Sequence, residues 1–238
     1  MTTSTIVVGR RLAWALMLLV CCAPFVVWMA SVNDPFAYFR LTGLPPGQQL
    51  YLIAKLLGLF ALCLFWLQAM LALSARMPCM TVLPSSTLHL HKRLGAATAV
   101  LILGHVVLFL VGTSLRTGHA AWDMLVPTFS TGYYRFYISL GVIAFYLVCL
   151  TIFAGWRTSR GARRWKWVHM LWPAVFVLTF LHAFAIGTES RYGAMRYLVV
   201  FLAVSLTVAA IARLLSLRRR SRRHSDMDVR KHALPTDH

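Results

Sequence analysis

Six apolar runs, each close to the ~20 residues a helix needs to cross a ~30 Å hydrocarbon layer, leave this chain few folds to choose from. They read as Leu12–Ala30, Leu50–Leu73, His89–Thr113, Tyr134–Gly155, Trp167–Gly187 and Met195–Leu215. In lipid every backbone amide must be satisfied within its segment or in a closed barrel, and runs this long and continuous read as helices. The expectation is an all-α fold, a polytopic membrane bundle of six transmembrane helices. The 238 residues, 59% hydrophobic with a mean hydropathy of +0.70, leave little for a soluble domain.

A net charge of +18 would ordinarily raise the question of nucleic acid, but its distribution argues for topology. Arg10 and Arg11 precede the first run, and Arg76, Lys92 and Arg93 surround the second connection. Arg157, Arg160, Arg163, Arg164 and Lys166 fill the fourth connection, and Arg218, Arg219, Arg220, Arg222 and Arg223 open the tail. The alternate loops hold Arg40, Arg116, Arg135, Arg191 and Arg196 together with Asp34, Asp123 and Glu189, all the acids before the tail. The positive-inside rule then places both termini in the cytoplasm, with the basic excess facing anionic lipid. No nucleic-acid partner is expected. Cys21, Cys22, Cys63 and Cys149 fall inside apolar runs and Cys79 in an inward loop, so packing is expected rather than a disulfide framework. Arg10-Arg11 with the long run behind it reads as an uncleaved signal anchor.

Within this apolar chain the histidines stand out. His91 and His105 are fourteen positions apart in one run. At ~100° and ~1.5 Å per residue they fall ~40° apart in azimuth and ~21 Å apart along the axis. His169 and His182 are thirteen apart in another run, which on a straight helix leaves them ~220° apart. Pro173, one turn past His169, loses a backbone hydrogen bond and is where that helix kinks or overwinds. Imidazole in lipid is costly unless paired or ligated, and two pairs at nearly equal spacing are the pattern of two helices clamping two stacked haems. His89 is ~200° from His91 and cannot share its face.

The other polar residues have plainer readings. Lys55 snorkels to the outer interface and Gln68 makes a helix–helix hydrogen bond. Gly95, Ala96, Ala97, Ala99 and Gly104 serve either close packing or room for a porphyrin. Phe176 and Phe180 read as core. Arg163, Arg164 and Lys166 are topological cations that also suit haem propionates or an acidic soluble partner. Trp122, Met124, Leu125 and Phe129 suit a lid along the outer interface. His119, His224, His232 and His238 read as solvated.

His91-x13-His105, His169-x12-His182 two runs later, and the opening His91-Lys92-Arg93-Leu94-Gly95 together resemble the ferric reductase-like transmembrane domain. This is the haem-bearing module of NADPH oxidases and ferric-chelate reductases. The likeness runs from about Leu50 to Tyr192. Trp122-Asp123-Met124-Leu125-Val126-Pro127 and the run from His182 to Gly187-Thr188-Glu189-Ser190 are similar to stand-alone bacterial members. The resemblance implies one bis-histidine b-type haem near the cytoplasmic face between His91 and His169, and a second near the outer face between His105 and His182. Iron is then the metal held by these four, with Arg93 and Arg164 as further cofactor-binding candidates. It also implies an oxidoreductase component in a bacterial inner membrane that carries single electrons outward.

One departure shapes the expected partners. No Gly-x-Gly-x-x-Gly follows a strand here, and there is no room for a flavin and nicotinamide domain. Flavin is therefore expected only on a separate flavoprotein reductase, or electrons come from a quinol; the outer acceptor has no readable code. The chain divides into a first helix and outer loop (1–49), a haem-binding core (50–192), a sixth helix (193–215) and a basic, disordered cytoplasmic tail (216–238). From the residues alone a haemless multipass transporter or scaffold, and a haem or metal carrier, stand beside the electron conduit.

Overall fold

The computed structural model describes residues 14–15, 18–29, 40, 43–74, 87–129, 132–187 and 193–233, with 74, 87–88 and 219–233 described by backbone alone. Among them every regular element is helical. In chain order they are α1 (Leu18–Met29), α2 (Gln48–Ser74), α3 (Thr87–Thr117), a 3₁₀ turn (Ala121–Leu125), α4 (Tyr133–Ser159), α5 (Lys166–His169), α6 (Trp172–Ile186) and α7 (Ala194–Ala233).

Five stretches are long and apolar enough to cross a membrane: Gln48–Leu73, His89–Thr117, Tyr133–Ser159, Arg163–Ile186 and Ala194–Arg218. The sixth expected span is not reached, because α1 is too short among the described residues. Residues 12–13, 16–17 and 30 of that run, with Arg10 and Arg11, lie outside them, as do the turn at Asn33-Asp34-Pro35, Cys79 and the loop before Thr87. The backbone of α7 stays helical to Ala233, well into the tail expected to be disordered. Between Gly193 and Pro235 no glycine or proline interrupts it, so nothing local breaks the helix.

The core is built around α2. Leu62, Cys63 and Trp66 on α2 meet Met195, Val199 and Leu202 on α7, with Phe176 of α6 closing the cluster. Cys63, Met195, Val199 and Leu202 are fully buried. Trp66 Nε1 donates to Ser205 Oγ at 3.0 Å, tying α2 to α7. Between apolar helices in lipid the driving force is packing and dispersion rather than release of water, so close approach matters most.

The α2–α3 pair shows this directly and is the most extensive in the bundle. A Cβ on Gly112 would lie 3.0 Å from both the Gly47 carbonyl oxygen and the Tyr51 nitrogen, and one on Gly104 would lie 3.0 Å from Leu57. Those small residues serve packing against α2. On the other side α4 packs on α5 and α6. No comparable packing joins α3 to α6; these two helices face each other across a gap.

The fifth span is not one helix. α5 ends at His169, and Met170 and Leu171 adopt φ −72°, ψ −2° before α6 starts with Pro173 in its first turn. Leu171 N–H donates to the Val168 carbonyl at 3.0 Å, a three-residue turn tighter than an α-helix. Proline costs least in the first turn, where its missing N–H has no partner to lose. The overwound break changes the azimuth of His169 relative to His182, which removes the ~220° conflict of a straight helix.

Candidate functional site

The break in the fifth span brings four histidines into two facing pairs across the α3–α6 gap. His91 on α3 meets His169 on α5, ring centroids 6.2 Å apart and planes at 84°. His105 on α3 meets His182 on α6, at 6.5 Å and 79°. All four rings are half-buried. His89 and His119 are exposed and belong to neither pair.

Three of the rings are held by one repeated device. His105 Nδ1–H donates to the Ala54 carbonyl at 2.7 Å, His182 Nδ1–H to that of Tyr137 at 2.8 Å, and His169 Nδ1–H to that of Thr151 at 3.0 Å. A carbonyl only accepts, so the proton sits on Nδ1 and the lone pair is left on Nε2, the tautomer a metal requires. Each ring also lies against a glycine. A Cβ on Gly58 would come within 2.9 Å of His105, one on Gly155 within 3.2 Å of His169, and one on Gly141 would overlap His182. The glycines allow the imidazoles to reach the main chain of the neighbouring helix.

His91 is different. Its Nδ1 is buried without a hydrogen-bond partner, and its Nε2 faces Gln68 Nε2 at 3.5 Å. The Gln68 amide also donates to the His91 carbonyl at 3.4 Å. The helix–helix bond expected of Gln68 is thus made to a site residue.

The His105–His182 pair borders a largely apolar cavity that is partly open to the surroundings. Phe65, Leu62, Val142 and Val148 are among its apolar walls, and Tyr51, Lys55 and Tyr134 form a polar rim. Lys55 Nζ and Arg116 Cζ stand 5.5 and 5.0 Å from the centre of the Tyr51 ring. Met124 and Leu125 of the 3₁₀ turn cover one side. That lid is pinned by Tyr146 Oη donating to the Leu125 carbonyl at 2.8 Å and by Ser139 Oγ accepting from Thr128 N–H at 2.8 Å. Arg135 and Asp123 add an exposed ion pair at 2.9 Å.

At the other end of the bundle, Arg93 and Arg164 are exposed and touch neither His91 nor His169 in any described contact. Arg160 and Lys166 lie 4.0 and 5.1 Å from the rings of Trp156 and Trp167. An aromatic and basic belt of this kind belongs at a membrane interface. Phe176 is buried against Phe65, and Phe180 stacks on Phe184, so both are core.

The geometry admits the group that the resemblance implies. Two imidazoles bound through nitrogen to one metal at about 2.0 Å each, with about 1.1 Å from nitrogen to ring centre, put ring centres about 6.2 Å apart. The observed 6.2 and 6.5 Å match that span. Among the described residues no three His, Cys, Asp or Glu side chains cluster as a metal site; the histidines come two and two, as suits a macrocycle that brings its own equatorial nitrogens. The anchoring carbonyls, their glycines and the Tyr51–Arg116 contact were not foreseen. One signal was available: Gly141 and Gly155 repeat the fourteen-residue spacing of His91 and His105.

A family model described as "Ferric reductase like transmembrane component" matches residues 57–180, just over half of the chain. The match includes His91, His105 and His169 and stops two residues before His182. No curated protein and no solved structure matches the chain.

Proposed function

This chain belongs to the ferric reductase-like transmembrane family, and from that premise we propose that it is a di-haem conduit carrying electrons across a bacterial inner membrane. With both termini cytoplasmic, His91 and His169 hold the inner b-type haem and His105 and His182 the outer one. Bound this way, the haems supply one-electron transfer without an open iron position.

The chain's own residues supply the rest. The carbonyls of Ala54, Tyr137 and Thr151 hold three imidazoles in the ligating tautomer. Arg93 and Arg164 at the basic end, and the Lys55 and Arg116 cations beside Tyr51 at the other, would offer partners to each cofactor's carboxylates. The pinned 3₁₀ turn keeps water from the outer pair. Electrons come from a separate flavoprotein reductase or a quinol and leave to an acceptor at the outer face. Residues 50–192 form the haem core, flanked by 1–49, by 193–215 and by the tail.

The observation that carries this reading is the matched separation of the two ring pairs, 6.2 and 6.5 Å. The test is a reduced-minus-oxidised spectrum of the purified chain with haem quantified per polypeptide. Two six-coordinate b haems are expected, falling toward one in His105→Ala or His91→Ala. A chain that takes up no haem at any loading overturns the proposal and returns the histidines to a transporter or scaffold.

A further inference from the structure

The turn between α4 and α5 carries a concentrated positive charge at the His91–His169 end of the bundle. Five of the ten residues from Arg157 to Lys166 are cationic and all five are exposed, and no acidic residue occurs between Asp123 and Glu189. Among the described side chains the one acid is Asp123, on the lid at the other end and paired with Arg135. His169 follows Lys166 by three residues, and the exposed Lys92 and Arg93 directly follow His91.

The turn is ordered, and its cations are of two kinds. The N–H groups of Arg160 and Ala162 both donate to the Arg157 carbonyl at 3.2 Å, and that of Trp165 to the Ala162 carbonyl at 3.1 Å. Gly161, at φ +91°, supplies the left-handed residue that the reversal requires. Trp165 anchors the turn edge-on to Phe153, with ring centres 5.3 Å apart. Arg160 and Lys166 lean on Trp156 and Trp167, at 4.0 and 5.1 Å, the association expected of cations at a lipid interface. Arg157 and Arg163 have no such partner: neither side chain hydrogen-bonds or ion-pairs with another described residue, and the Ala162–Arg157 bond brings their main chains together. Lipid headgroups meet the sides of a bundle, at the level those two indoles mark. Arg157 and Arg163 instead lie on a pre-formed turn at its end, where docking a protein costs little ordering.

We propose that this turn is the docking surface of the electron donor, a soluble redox protein with an acidic face, and that Arg157 and Arg163 are its principal contacts. The proposal rests on the di-haem reading and deepens it. Opposite charge draws the donor to the end of the bundle that holds His91 and His169 and fixes its orientation there. One electron then passes from the reduced donor to a ferric haem, which becomes ferrous, and no bond forms or breaks.

The test is stopped-flow reduction of the haem-loaded full chain in phosphatidylcholine nanodiscs. The donors are photoreduced flavodoxin, a small acidic flavin protein, and photoreduced riboflavin, a small and nearly uncharged control. With wild type the flavodoxin rate falls as salt screens the attraction. In Arg157→Gln/Arg163→Gln it drops about tenfold at low salt and loses most of its salt dependence, and in Arg157→Glu/Arg163→Glu it drops further. The riboflavin rate is the same in all three proteins. A merely structural role for the two arginines lowers both rates together, which overturns the proposal. So does a flavodoxin rate that is zero, insensitive to salt or unmoved in the variants while riboflavin still reduces the haems. An unmoved flavodoxin rate with weakened binding to phosphatidylglycerol vesicles would assign the turn to anionic lipid instead. Should the double variants fail to accumulate, Arg163→Gln, on the exposed 3₁₀ turn, decides alone. A wild type that holds no haem, or whose haems neither donor reduces, overturns the proposed function itself.

Discussion

Gly141→Ala sets two physical effects against each other, and the structure says which wins. Helix propensity alone favours alanine in the middle of α4 by about 1 kcal/mol. The added Cβ, however, would overlap His182 Nδ1 and stand 2.7 Å from its Cε1 and 2.9 Å from its Cγ. Ordinary contact begins at 3.4 Å, so the ring must retreat by about 1 Å at Nδ1, which stretches its 2.8 Å bond to the Tyr137 carbonyl beyond useful length. Losing that bond costs about 0.5–1.5 kcal/mol, and overpacking adds about 1–3 kcal/mol. The balance is a net loss of about 1–3 kcal/mol. Disturbing a partner of a ligating histidine typically weakens metal binding by about 10–100-fold. Thermal unfolding in detergent and haem per polypeptide measure both quantities. The contacts order the series: Gly141→Ala is worst, Gly58→Ala next, and Gly155→Ala, with 3.2 Å to His169, mildest. A Gly141→Ala protein that keeps two haems and melts higher than wild type would refute the cradle, because propensity would then be the only effect present.

Two further outcomes follow from the lid and the ring planes. Ser139→Ala strands Thr128 N–H and removes the donor shared between the Thr128 and Arg135 carbonyls, both at 2.9 Å, costing about 1–3 kcal/mol. Asp123→Asn breaks only an exposed ion pair and should cost less than about 1 kcal/mol; equal losses in a melting comparison would contradict this account of what pins the lid. The near-perpendicular imidazole planes, at 84° and 79°, predict strongly anisotropic low-spin ferric signals from both haems. An electron paramagnetic resonance spectrum typical of parallel axial rings would contradict that geometry.

Much of this protein was legible in the chain. Five of the six apolar runs appear as membrane-length helical stretches, four of them unbroken, because length and hydropathy are local properties that lipid enforces without reference to neighbours. The His91–His105 register is also local: fourteen residues of uninterrupted helix set it. The His169–His182 register is not. Ideal helix geometry put those rings on different faces, and only the tight turn at Met170 and Leu171, permitted by Pro173 at the head of α6, changes that. The small residues of α3 carried two readings of equal standing, and contact settled two of them: Gly104 lies against Leu57 and Gly95 against Gln68.

Taken alone, the sequence determined which segments are helical and apolar and where imidazole occurs along them, since those follow from side-chain chemistry at short range. Which carbonyl each imidazole reaches was decided only by tertiary structure. A main-chain carbonyl has no residue identity to read, and its availability depends on whether a side chain four positions away stands in the path of an approaching ring. Gly58, Gly141 and Gly155 leave that path open.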